Sequence, residues 1–263
     1  PVYFLVLSSV INIALDFILI IYVKMGVAGA GVATVVSQFI SGVGCTIYMY
    51  KKFDILKATK QENVVRKRYV VNLCYIGVPM GLQYSITAIG TMMVQSSLNI
   101  LGSSAVAAFT AGSKIENIFT QAFVAIGTAM STYNAQNIGA RKLDRVRQGF
   151  RTADVIGCTY AVVVGFILFF VGKYFSYLFI SDNADVVIPM VETYLQCIGV
   201  FMIPLYVVNC YRNGFQGMGY GLVPMLGGVF ELAARAGIVL LVSGRSGFAG
   251  VCLSDPAAWI AAL

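Results

Sequence analysis

The stretch VYFLVLSSVINIALDFILIIYV, Val2 to Val23, decides the fold. It is long enough to cross a bilayer, for which about 20 apolar residues suffice. It also carries Asp16, four residues after Asn12, with no basic residue nearby to neutralise it. A carboxylate at such depth costs roughly 2.5 to 3.5 kcal/mol on insertion scales, so it normally faces a polar cavity and marks an ion or proton path. The pattern points to a transporter with a cation site.

The rest of the chain agrees with a membrane setting. Of 263 residues, 59% are apolar and 11% charged, and the mean hydropathy is +0.82. A water-soluble domain of this size needs no such surplus. The class is therefore an all-α, polytopic membrane bundle. Apolar windows predict seven complete spans, at 2–23, 27–50, 69–100, 105–138, 153–172, 187–211 and 222–242, with an eighth beginning at Phe248. The opening residues read as a full span and not as a signal peptide. Leu263 follows closely on the helix start Ser254-Asp255-Pro256, so the chain reads as part of something longer.

Charge sets orientation. Seven cations crowd the loop 51–68 and five the loop 141–151, whereas Lys24, Lys173 and Arg245 fall in the connections on the opposite side. The excess marks the two rich loops as cytoplasmic in a multi-pass protein; a prokaryotic plasma (inner) membrane is what the resemblance described below implies. Placed there, the net charge of +7 does not imply nucleic-acid binding. No histidine is present, which removes the commonest general base and metal ligand. The six cysteines show no C-x-x-C spacing. No enzyme chemistry and no cofactor are expected, and no metal beyond a possible Na⁺ at Asp16.

Ser9, Asn12 and Asp16 share one helical face, and Thr34, Ser37, Gln38 and Ser41 share another. Asp16 and Thr34 each lie about nine residues from the turn at Lys24 to Gly26, so at 1.5 Å per residue both are expected roughly 13 Å below the outer surface. Carboxylate, amide and hydroxyl oxygens suit a small hard cation, and the carboxyl can take a proton instead. The plainer reading is a hydrogen-bonded seam between two helices. Elsewhere, Glu231 and Arg235 stand at i and i+4 and are expected to neutralise one another. Lys114 and Glu116 are two apart, so at least one needs a partner on another helix. Asn117 and Gln121 continue that polar face, Glu192 lies near the outer end of its span, and Pro79 and Pro204 are expected to kink theirs. Gly26-Val-Ala-Gly29 is echoed by Gly247-Phe-Ala-Gly250, both following outward-running spans, as a parallel repeat would require.

Several of these residues carry a resemblance. Asn12-x-x-x-Asp16 followed by Gly26-x-x-Gly29-Ala30-Gly31, Ala33-Thr34 and Ser37-Gln38 resembles helices five and six of the multidrug and toxic compound extrusion (MATE) family. Gly77-Val-Pro79 with Gln83 is similar to the start of its seventh helix. Gln136-Asn137-Ile-Gly139-Ala140-Arg141 with Arg145 is similar to the end of its eighth, and Arg212 with Gln216-Gly217-x-Gly219 to the end of its tenth. The resemblance implies a two-lobe, twelve-helix antiporter of the prokaryotic DNA-damage-inducible-like branch, driven by Na⁺ or H⁺, with this chain running from helix five to early helix twelve.

Residues 1–52 would then be the last two helices of the first lobe, 53–68 a basic cytoplasmic linker and 69–263 the second lobe. Asp16, Asn12 and Thr34 map onto a first-lobe cation site; Gln38, Gln83, Asn117 and Gln121 are expected to line the substrate cavity, with ordinary interhelical hydrogen bonding the plainer reading for Asn117 and Gln121. The glutamate that another branch carries on helix seven is missing from Gln83 to Thr87, which puts a second-lobe cation site in doubt. The implied partners are small organic, often cationic and aromatic, substrates and the bilayer, with a monomeric state. This piece alone is not expected to transport. The alternative within the superfamily, a lipid-linked oligosaccharide flippase, would be expected to place more cations in its spans than Lys114 and Arg235. A seven-helix receptor or retinal pump would not have the repeat.

Overall fold

The computed structural model describes residues 2–54, 66–177, 180, 184–241 and 243–263. Most of the linker 53–68 thus lies outside the described residues. The chain divides into two compact units, 1–66 and 67–263.

The first unit is a helical hairpin. Helix α1 (Val2–Asp16) runs directly into a π-helix, Phe17–Tyr22, and after a turn α2 (Val27–Lys52) packs back against both. The turn needs left-handed backbone at Lys24 (φ 57°) and at Gly26, where φ 56° and ψ −133° favour glycine. No residue of α1 is fully buried, and most of its apolar side chains are exposed, with Phe4 packing against Gly44 and Tyr48 of α2. For such a surface hydrocarbon is the fitting solvent.

The second unit is a bundle. Helix α3 (Lys67–Leu101) packs on α9 (Leu222–Leu241). Helix α4 (Ser103–Gly139) packs on α5 (Leu143–Phe170), α7 (Ala184–Val200) and α8 (Met202–Gly217). A short α6 (Gly172–Ser176) precedes α7. Helices α7 and α8 meet at a 58° bend at Phe201 and are long and apolar enough to cross a membrane only when taken together. Pro204 sits just past that bend, in the first turn of α8, where its missing N–H costs no helical bond. The chain closes with α10 (Ser243–Cys252), broken at Gly247, and α11 (Ser254–Ala261). Four helices are long and apolar enough to cross a membrane, five counting the bent pair. Helices α3 and α4 are long but more polar, because they carry much of the unit's interior chemistry.

Close approach of helices is built on small residues, as expected where lipid supplies no hydrophobic drive between them. The Tyr206 ring lies against Gly157 where any side chain would stand, and its hydroxyl donates to the Ala153 carbonyl at 2.5 Å. Gly217 lets α8 touch the backbone of α4 at Ser131. Around Tyr206 the rings of Phe123 and Tyr160 pack edge to face, forming part of the main core cluster.

Candidate functional site

In the first unit the polar faces of α1 and α2 meet. Asn12 Nδ2 donates to Thr34 Oγ1 at 3.5 Å, and Thr34 in turn donates to the Ala30 carbonyl at 2.9 Å. One turn on, the buried Oδ1 of Asp16 has no hydrogen-bond partner among the described residues. The Asn12 amide oxygen is not used by the Thr34 contact. A carboxylate oxygen, an amide oxygen and a hydroxyl therefore lie along one side of the hairpin, which is a donor set that fits Na⁺ or a proton. An orphaned buried carboxylate oxygen is costly unless something is bound or brought to it. Ser41 Oγ donates to the Phe4 carbonyl at 2.7 Å, whereas among the described residues Ser9 and Ser37 bond within their own helices. The seam thus accounts for Ser41 and leaves Asp16 unexplained.

The depth count paired Asp16 with Thr34, but the hydrogen bond falls on Asn12. Between Asp16 and the turn the chain runs as a π-helix, whose i to i+5 bonding holds more residues per turn than an α-helix, so a count at the α-helical rise overstates the depth of Asp16. Isolated π turns are frequent at functional sites, and this one begins immediately after Asp16.

The second unit holds a cavity of about 350 Å³ with polar and apolar walls, lined by residues of α3, α4, α7, α8, α9 and α11. Glu116 on α4 lines it and accepts a 2.6 Å hydrogen bond from the Tyr194 hydroxyl of α7. Ser113 lies 3.2 Å from that hydroxyl, and Asn117 Nδ2 donates to the Ser113 carbonyl at 2.8 Å. Across the cavity Arg235 Nε donates to Asp255 Oδ1 at 3.0 Å. Tyr194 is placed by Gly112, whose α-carbon the ring covers.

These contacts correct the expected Glu231–Arg235 pair. Glu231 is bound to Arg212 of α8 and Arg235 to Asp255 of α11, because each carboxylate offered from another helix satisfies a buried guanidinium better than a neighbour along its own helix. Glu116 finds its expected partner on another helix in Tyr194, and Lys114 is exposed. Glu192 lies 3.8 Å from Lys173 in an exposed pair. Of the residues assigned to a substrate cavity, Gln38, Asn117 and Gln121 are exposed within their units. Gln83 is buried, its Oε1 accepting from Gln216 Nε2 at 3.0 Å. Asp255 was read only as a helix start. The glycine echo could have found it, since Gly247 repeats the backbone of Gly26 (φ 56°, ψ −135°), and Asp255 and Thr34 each stand eight residues after their glycine.

Residues 78–238 match the MatE family model, more than half of the chain. The chain belongs to the MatE family. Among curated MatE relatives, the probable multidrug resistance protein YoeA of Bacillus subtilis is 30% identical over 190 residues, covering 69% of this chain and 40% of that protein. The probable multidrug resistance protein NorM of Thermotoga maritima is 28% identical over 228 residues, covering 84% and 48%. The chain thus spans a little under half the length of these relatives. In fold it is similar to a MOP superfamily transporter from Pyrococcus furiosus, with a TM-score of 0.88 at 21% identity over 99% of this chain and 59% of that one. The MatE chain is therefore all-helical and membrane-embedded, as the sequence implied, and the two relatives above are named for multidrug resistance.

Proposed function

We propose that this chain serves in a cation-coupled antiporter that exports small organic compounds, with Asp16, Asn12 and Thr34 binding the coupling Na⁺ or H⁺. One observation carries the reading: Asn12 and Thr34 are joined across α1 and α2 while Asp16, on the same face, keeps a buried oxygen without a partner. A seam needs no charge, whereas a site that alternately binds and releases a cation does. The exposed amides of Gln38, Asn117 and Gln121 are the proposed substrate-facing groups. Cation binding favours one arrangement of the helices and substrate binding the other, so each ligand lowers the affinity for its rival. Export then follows from coupling without covalent chemistry. In this reading the protein is a monomer in a prokaryotic inner membrane, with loops 51–68 and 141–151 in the cytoplasm.

The flippase alternative is not favoured, since the interior guanidinium groups of Arg212 and Arg235 are tied to carboxylates. The test is efflux of a fluorescent organic cation from cells expressing the complete gene with Asp16→Asn. Gradient-driven export should be lost while membrane insertion persists, and collapsing the Na⁺ or the H⁺ gradient separately identifies the ion. Export at the normal rate would remove Asp16 from the mechanism.

A further inference from the structure

The cavity of the second unit is unusual in presenting both signs of charge with bonds to spare. Arg235 is 6% exposed, yet Nε is its only guanidinium nitrogen with a hydrogen bond among the described residues, and the buried Nη1 is left without an acceptor. Glu116 lines the same cavity, and Tyr194 is its hydrogen-bond donor among the described residues, at one carboxylate oxygen. The walls between them are aromatic: Phe109, Phe123 and Trp259. Gly90 leaves the room in which the guanidinium sits, since a β-carbon there would come within 3.1 Å of Nη1.

We propose that this cavity binds a small zwitterion with an apolar or aromatic body, its ammonium on Glu116 and its carboxylate on the free N–H groups of Arg235. The choice follows by elimination among simple ligands. A plain cation would satisfy Glu116 but leave the arginine donors unpaired in a low-dielectric space and set two positive groups facing one another. A plain anion would answer Arg235 and be repelled by Glu116 and Asp255. A zwitterion answers both, and sites that hydrogen-bond a group discriminate strongly against analogues that lack it. The volume lies at the lower end of the range for small-molecule sites, which fits a ligand the size of an aromatic amino acid. Ser113 and Asn117 support the Glu116 side by fixing Tyr194 and the turn beneath it.

Trp259, the chain's single tryptophan, lies on the cavity wall and reports occupancy directly. Protein from the complete gene, purified in detergent, is titrated with phenylalanine, 2-phenylethylamine and 3-phenylpropanoate. Its fluorescence is read against a Trp259→Phe background. Phenylalanine should give a saturable change at a concentration at least about tenfold below either single-charge probe, about the cost of one unsatisfied buried partner. Arg235→Lys keeps a cation for Asp255 but loses the fork. It should weaken phenylalanine about tenfold and spare 2-phenylethylamine, and Glu116→Gln should weaken phenylalanine and spare 3-phenylpropanoate. Equal binding of phenylalanine and 2-phenylethylamine would overturn the proposal in favour of a cation site, and no saturable change with phenylalanine would overturn it outright. No ion gradient enters the measurement, so its failure is distinct from a failure of the Asp16 reading.

Discussion

Removing Arg212 from its contact with Glu231 tests most sharply how the interior charges are organised. The Glu231 side chain is 3% exposed and Arg212 20%, so the carboxylate cannot turn to water when its partner goes and the guanidinium can do so only in part. Breaking a buried pair by deleting one member costs about 3 to 5 kcal/mol, because the surviving charge is stranded, whereas replacing both with apolar groups of similar volume is often neutral or stabilising. Arg212→Met alone and Glu231→Leu alone should therefore each destabilise the protein strongly, and the double variant should recover most of the loss. The coupling between them should exceed about 3 kcal/mol. The assay is unfolding of detergent-solubilised protein in rising denaturant, with the four species measured together. A parallel cycle on Glu231→Leu with Arg235→Met should show coupling of no more than about 0.5 kcal/mol, the scale of an i, i+4 pair that does not share a hydrogen bond. Additive losses for Arg212 and Glu231, or a larger coupling to Arg235, would refute the pairing.

Two further outcomes follow from packing and orientation. Gly157→Ala places a methyl group inside the Tyr206 ring and should destabilise by about 1 to 3 kcal/mol or more. Gly237→Ala on α9 meets nothing within 4 Å and should be neutral or gain about 0.5 to 1 kcal/mol; the same denaturant titration compares them. A cysteine in place of exposed Arg147 should react with an impermeant thiol reagent only from the cytoplasmic side, and one in place of Lys173 only from outside. The reverse pattern would invert the topology.

How much could be read in advance depended on the range of the interaction. The spans were legible because bilayer thickness and backbone hydrogen bonding act on every residue of a window: α1 with its π extension, α2 and α9 end within a few residues of the expected limits. Partners were not legible. Glu231 stands one turn from Arg235 in sequence, and local spacing favours that pair. The choice is made by Arg212 and Asp255, which reach it only through the packing of α8 and α11 on α9. The π-helix was equally hidden. FILIIY is as apolar as the residues before it, and nothing in its composition distinguishes i to i+5 from i to i+4 bonding.

The glycine echo shows what a periodic reading can still recover. Gly26 and Gly247 adopt the same left-handed backbone angles, which few other residues tolerate, so the match constrains the course of the chain beyond a shared tetrapeptide. Eight residues later each unit makes a polar contact back to the long helix before its glycine, Thr34 with Asn12 of α1 in one and Asp255 with Arg235 of α9 in the other. The frame is thus repeated while its chemistry is not. One copy holds neutral groups beside an unpaired carboxylate, and the other holds an ion pair beside unpaired guanidinium donors. The unsatisfied group is thus a carboxylate oxygen in one copy and a guanidinium nitrogen in the other, which is the difference that the proposed cation at Asp16 and the proposed zwitterion between Glu116 and Arg235 would each answer.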